Sequence, residues 1–594
     1  MTMINAAGLV FALALAYLGY VFVQLGFPQR LALLWRIRGD LSGVLEESSR
    51  RHGDKTLIEL QETIAWAGSY GANWSANQIL TTCIRLSSIW AMLGLKSADR
   101  MAIYKANQFD IFLFSASAIR IGAIASPINC NVAAAIAARY MEKIGARRLV
   151  TDQAGYARLF EDGTIVPPAT VEKIVITDAP SRQAIIDLSV PLSLPALLEL
   201  SLPPVPLHAL GAEDPLYIVH TSGTTGAPKG VILQSKGLIQ SLRSALLFNF
   251  VSRRDLAYLA VPLNHQVSQL YLHFVLLLGV RCILNLDFDP LRILHTLEKR
   301  RPTVFFGFPI TYTRMIAGGS DALSLDSVRV WATTADASHE VQQRAFVTKG
   351  CFFKQLGIPV PGALFVDGLG SSEVGIAALL RIVTPWTRRF DRRVGYPTPF
   401  GPKLKIVDAS GIAVARGDSG RLMIKGACMF AGYWNAHDTL YSATRDGWWF
   451  TGDMVRQEKS GEFIHLDREI DAMLTPHGTV FTLPIEETVL KYPGVLDTCV
   501  FGIRDAHGVD LPAAVVALCD EAPRHAAQML QSELNAKLAA RDKIHYLWVI
   551  PWKDFPIGAT GKTLKRCLRE TYGDIVKISV HEKDVATQAC SSVA

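Results

Sequence analysis

The residues best suited to chemistry lie in one run, His220-Thr-Ser-Gly-Thr-Thr-Gly-Ala-Pro-Lys-Gly230. Gly223 and Gly226 let a backbone turn aim its N–H groups at an anion. Thr221, Ser222, Thr224 and Thr225 add hydroxyl donors, and Lys229 adds a point charge. That is chemistry for holding phosphate. The run is not a G-x-x-x-x-G-K-[ST] loop, and a second candidate, Pro556-Ile-Gly-Ala-Thr-Gly-Lys-Thr563, has Pro where that pattern needs its first Gly. Nine cysteines lie far apart with no C-x-x-C pair, which disfavours a disulfide framework or a zinc site.

The elements around this loop set its position. Leu216–His220 is an apolar run of strand type that opens directly into it. Upstream, Trp74–Asp99 reads as a helix leading into a short strand at Arg100. Phe109–Ile121 reads as another helix, followed by a strand and turn at Gly122–Pro127. This alternation predicts βαβ units and a parallel sheet. From about Gly401 the pattern changes to short strands (Lys403–Val407, Gly420–Ile424, Glu462–His465), then to a smaller α+β region.

With 594 residues, 50% hydrophobic and 19% charged, the chain can bury a large core. Sixty basic against fifty-three acidic side chains give only +7, too weak a bias to argue for nucleic acid. Met1 to Gln29 carries no charge, and Ala6–Val23 is almost wholly apolar, close to the roughly 20 residues a membrane-crossing helix needs. Arg30, Arg36 and Arg38 follow it. A single-pass anchor at residues 3–28, with the rest of the chain facing the cytoplasm, is therefore expected.

The phosphate loop resembles the signature of the adenylate-forming superfamily, which includes acyl-CoA synthetases, luciferases and peptide-synthetase adenylation domains. Further segments are similar to that family's other motifs, in its order. Thr333-Thr-Ala-Asp-Ala-Ser338 stands where the family flanks adenine, which implicates Thr334, Ala335 and Asp336. Asp367-Gly-Leu-Gly-Ser-Ser-Glu373 resembles its Gly-x-Thr-Glu motif. The resemblance implies Mg²⁺ on Glu373 with Thr225, and nucleotide contacts from Gly370, Ser371 and Ser372. Asp453, in Thr-Gly-Asp453, and Arg468 would hold the ribose, and Lys562 would bridge the substrate carboxylate and the α-phosphate. His265 falls where many acyl-CoA synthetases carry a His at the pocket mouth. The chain departs from the family at Thr333–Ser338, at Leu369 and most at Arg468–Gly478, where Leu474 replaces a Lys.

The resemblance implies an α/β fold with a large N-terminal adenylation domain (39–466), a hinge (467–471), a small mobile α+β C-terminal domain (472–578) and a tail (579–594). It implies ATP, Mg²⁺ and coenzyme A, or a carrier-protein phosphopantetheine, acting on a carboxylic acid. The absence of acidic residues in Val261–Leu272 disfavours amino acids, because an unpaired buried ammonium is costly. Phe305–Pro309 and Ala363–Val366 are candidate pocket walls, and the apolar N-terminus tilts the reading toward fatty or other lipophilic acids. Two other readings stay open: a ligase that loads a carrier protein, and a non-catalytic nucleotide binder. The Arg388, Arg389, Arg392 and Arg393 cluster reads as a solvated turn.

Overall fold

The computed structural model describes residues 26–37, 41–68, 70–161, 163–180, 191–221, 228–352, 359–375, 377–505, 507–519, 527–558 and 561–573. Two large sheets carry the first three quarters of the chain. The first has eight strands. Its parallel core is built from Ile124–Asn129, Arg100–Lys105, Ala146–Thr151 and Lys173–Ile176. On one side it continues through Pro215–Thr221 to the antiparallel Lys229–Gln234 and the short Gly432–Tyr433. The helix Ala76–Met92 begins later than the pattern suggested, because Ser75 and Gln78 close a capping box at its start.

The second sheet has fourteen strands. Thr56–Leu60, Arg281–Leu284, Leu256–Ala260, Val304–Gly307, Val330–Thr334 and Leu364–Leu369 run parallel. From Leu364–Leu369 onward every pairing is antiparallel, out to Trp448–Gln457 and Phe463–Arg468. The parallel strands are mostly buried on both faces, so they read as apolar runs. Helices Ser235–Phe248 and Gln266–Leu278 pack on the face that bears the site.

After Arg468 the chain forms a hairpin (Met473–Thr475 with Gly478–Val480), helix Thr482–Leu490, and a three-stranded sheet of Val495–Arg504, Asp510–Leu518 and Tyr546–Val549. This part has apolar clusters of its own on the two faces of its sheet. The α/β and α+β elements follow the sequence expectation.

The expected membrane helix is corrected. Among the described residues no helix is long and apolar enough to cross a membrane. Residues 26–28 of the expected span open a ten-residue helix, Phe27–Arg36, that buries Arg30 and Leu33 against the protein. Residues 3–25 of that span lie outside the described residues, as does the expected tail at 579–594. The single-pass localisation and the bilayer partner inferred from the span are withdrawn with it.

Candidate active site

Strands Pro215–Thr221 and Lys229–Gln234 form a hairpin whose register pairs Thr221 with Lys229. The two ends of the glycine-rich loop are therefore held side by side at one end of the sheet. Ser222, Gly223, Thr224, Thr225 and Gly226 lie outside the described residues. Lys229 Nζ stands 5.2 Å from the ring centre of Tyr433, a cation–π contact. The Tyr433 hydroxyl donates to Glu373 Oε1 at 3.0 Å. Burial, reinforced by Glu373, pushes the Tyr433 phenol far up, so it remains a donor. Glu373 is buried, with Gly370, Ser371 and Ser372 joining it to the end of strand Leu364–Leu369. The buried Ser371 hydroxyl has no hydrogen-bond partner among the described residues.

Next to this loop, Thr334 Oγ1 donates to the Gly368 carbonyl at 2.8 Å and ties two neighbouring strands together. Ala335 then takes φ +76°, a left-handed conformation uncommon outside glycine. It turns Asp336 into the cleft between the two parts of the chain, where Oδ2 lies 3.6 Å from Lys562 Nζ. Burial alone would raise the Asp336 carboxyl; Lys562, His465 and Arg392 outweigh it and hold it below its ordinary value.

Asp453 and Arg468 face one another across two antiparallel strands. Arg468 donates to Asp453 Oδ1 at 2.9 Å. His465 Nε2 lies 3.4 Å from the same oxygen. Burial opposes ionisation of Asp453, yet Arg468 and His465 keep its carboxyl far below the usual range. Lys562 follows Gly561, whose φ is +79° and where a Cβ would meet Ile310 Cγ2 at 2.9 Å. Any larger residue at 561 would push this turn away from the large unit. Lys565, three residues on, donates to Glu486 Oε1 at 2.8 Å and anchors the same segment.

His265 stands at the N-cap position of helix Gln266–Leu278 without a side-chain capping bond and packs edge-on against Phe308 at 5.0 Å. Burial, His220 and Lys562 lower its imidazole to about 3, so it is neutral at physiological pH. The next turns of that helix line a cavity of about 140 Å³. Its floor is one face of the large sheet: Val304 and Phe306, Val330 and Ala332, Val366 and Gly368. Alternation sends Phe305 and Phe365 to the opposite face, into a separate core cluster. Each candidate wall segment thus contributes only part of its residues. Among the described residues no charged side chain lines the cavity. At one end it reaches Thr333 and Thr334, next to Asp336; other lining residues include Phe248 and Phe400, exposed rings stacked at 5.6 Å.

Two features escaped the sequence. Tyr433 is one; no local pattern marks it, because its partners stand 60 and 204 residues away in the chain. The other is a buried cluster between the two parts. Glu487 accepts from the Glu340 N–H at 2.7 Å, and its Oε2 lies 2.9 Å from His339 Nδ1 and 3.7 Å from Arg392. Burial opposes these contacts, but His339 and Arg392 still bring Glu487 down to about 2. The arginine cluster is therefore only half a solvated turn. Arg388 and Arg389 are exposed, whereas Arg392 is buried in this cluster and Arg393 pairs with Glu462 at 2.7 Å.

Residues 45–434 match the AMP-binding enzyme family. A 3-aminoavenalumate diazotase from a Streptomyces species is 30% identical over 81% of this chain and 86% of its own length. A long-chain-fatty-acid–CoA ligase from Bacillus subtilis is 24% identical over 89% of this chain and 94% of its own. The crystal structure of an anthranilate CoA ligase bound to anthranoyl-AMP superimposes with a TM-score of 0.76. It is 20% identical and covers 90% of this chain and 97% of its own, which shows the shared fold. The chain therefore belongs to the AMP-binding enzyme family, within the adenylate-forming superfamily, and is an enzyme of the AMP-forming acid–CoA ligase type.

Proposed function

We propose that this enzyme activates a lipophilic carboxylic acid, fatty or extended aryl, as its acyl-adenylate and passes the acyl group to a thiol, that of coenzyme A or of a carrier protein. The observation that supports this best is the apolar cavity that reaches Thr333 and Thr334, the latter two residues from the Asp336 that pairs with Lys562. Among the described residues its lining is almost wholly apolar and offers no partner to a charged tail.

A carboxylate resists attack by a thiol because its leaving group would be oxide. In the proposed first step its oxygen attacks the α-phosphorus of ATP and pyrophosphate leaves. The nucleophile is already an anion, so no general base is needed, in keeping with His265, whose imidazole is lowered to about 3 and is a poor base. Positioning and positive charge remain to be supplied. Lys562 would bridge the carboxylate and the α-phosphate. Thr221, Lys229 and the loop between them would cradle the phosphates, and Asp453 with Arg468 would take the ribose. The residues present fit Mg²⁺: Glu373 is a buried carboxylate oriented by Tyr433, beside the unpaired Ser371 hydroxyl. Glu373, with Thr225, would hold the ion, which would neutralise triphosphate charge.

Acid-dependent ATP–pyrophosphate exchange, screened over straight-chain and aryl acids without thiol, tests the first step; adding coenzyme A or a holo-carrier protein then identifies the acceptor. Absence of exchange with every acid, in folded protein that binds ATP, would refute the reading in favour of a nucleotide binder.

A second reading is favoured by the diazotase at 30% identity and by Leu474, which is 73% exposed where the resemblance expects a Lys. The same site would then serve conversion of an aryl amine to a diazonium group. Pyrophosphate release that requires an aryl amine and nitrite, with azo-dye trapping of the product, distinguishes the two.

A further inference from the structure

The family match begins at residue 45, so the helix Phe27–Arg36 precedes it. This helix nevertheless reaches the back of the apolar cavity. Arg30 is fully buried, and its Nη1 donates to the carbonyls of Leu246 at 2.8 Å and Asn249 at 2.9 Å. Its Nη2 donates to the Val251 carbonyl. Leu246 lies in the last turn of helix Ser235–Phe248, where carbonyls have no partner within the helix. Asn249 and Val251 line the cavity, as does Phe274, whose ring centre lies 6.0 Å from the guanidinium.

From the other side, Arg329 donates to the Phe250 carbonyl at 2.6 Å and is itself held by Asp255. The cavity wall at 249–251 therefore has no regular partner strand and hangs by its carbonyls on two guanidiniums. Burial lowers Arg30 only to about 10, so it stays charged at neutral pH. A planar fork of donors suits three divergent carbonyls in a way that an ammonium does not.

We propose that Arg30 is a positioning residue that fixes the far wall of the acid-binding cavity and thereby sets the length of acid tail the enzyme accepts. The proposal rests on the acid-activating reading above. Arg30 acts through residues 249–251 and touches neither the substrate nor the nucleotide.

The test uses the full chain and acid-dependent pyrophosphate exchange. Arg30→Met keeps much of the bulk and removes every donor; Arg30→Lys keeps the charge without the fork. The probes are straight-chain acids up to about four carbons beyond the wild type's preferred length or, if an aryl acid is preferred, its para-alkyl homologues. Relative to the preferred acid, kcat/KM for the longer ones should rise about tenfold in Arg30→Met and less in Arg30→Lys, with KM for ATP unchanged. A merely structural role would lower all acids together. If Arg30→Met does not fold, Arg30→Lys decides alone. An unchanged or lowered ratio in the folded variants overturns the role of Arg30 and leaves acid activation standing. A wild type that exchanges pyrophosphate with no acid removes both.

Discussion

Two side chains carry the sharpest consequences. Lys562 stands 3.6 Å from Asp336 and lends its field to His265, so it is a cation placed between the two. Lys562→Ala should reduce acid-dependent pyrophosphate exchange about 100-fold or more, while ATP affinity by calorimetry changes only a few fold. An unaltered exchange rate would remove Lys562 from the chemistry. Asp453→Asn leaves the Arg468 guanidinium without its carboxylate and should raise KM for ATP about tenfold. The same variant has a signature in stability. The Asp453 carboxyl ionises below its unfolded value of about 3.9, so its contribution is fully present above that pH and is lost as pH falls through the lower folded value. Denaturant titrations at pH about 7 and about 3 should show the wild type losing more stability between them than Asp453→Asn, because Asn has no proton to gain. Equal losses would mean that the Arg468 pair does not hold the carboxyl down.

Elements decide which of these residues could be read from the sequence. The phosphate loop, Thr-Gly-Asp453 and Gly-Lys562 are contiguous motifs, so their types and order were legible. The cavity walls were not, because strands buried on both faces lose the alternation that assigns a side. Only the register shows that Phe306 and Val366 face the cavity while Phe305 and Phe365 do not. The arginine cluster was misread for a related reason: Asp391 and Arg392 take φ of +41° and +56°, which turns Arg392 inward, and no composition argument foresees a turn of that kind. The strand floor yields its own prediction. Ala332 sits among the cavity's lining residues on the central strand Val330–Thr334. Ala332→Phe should fill part of that space and reduce kcat/KM for long acids by more than tenfold relative to short ones, with KM for ATP unaffected. A uniform loss across all acids would point instead to strain in the sheet.

At the scale of the whole molecule, the small unit is docked with the Lys562 turn inside the cleft. Gly561 touches Ile310, Glu487 is buried with His339 and Arg392, and Lys491 Nζ lies 2.6 Å from Glu340 Oε2 at the edge. This arrangement suits the proposed adenylation step, since Lys562 is held beside Asp336, two residues from the cavity-lining Thr334. By the family resemblance the hairpin carrying Leu474 and Gly478 would turn in to line the thiol's path; here both residues are exposed, which does not suit a thiol acceptor. The two steps thus ask for different placements of one unit, and the charged contacts at the interface must break in between. A covalent tie across the edge of the interface separates them. Glu340→Cys with Lys491→Cys replaces this pair, whose glutamate is buried and whose lysine is exposed; two extended side chains span too far for a disulfide, so a short bismaleimide is the suitable bridge. The bridged enzyme should keep acid-dependent pyrophosphate exchange within about threefold and lose thioester formation by about 100-fold or more. The unbridged double variant should do both reactions, which rules out damage from the substitutions themselves. Thioester formation at an undiminished rate in the bridged protein would show that the thiol reaches the adenylate without any movement of the small unit, and that the interface around Glu487 is permanent.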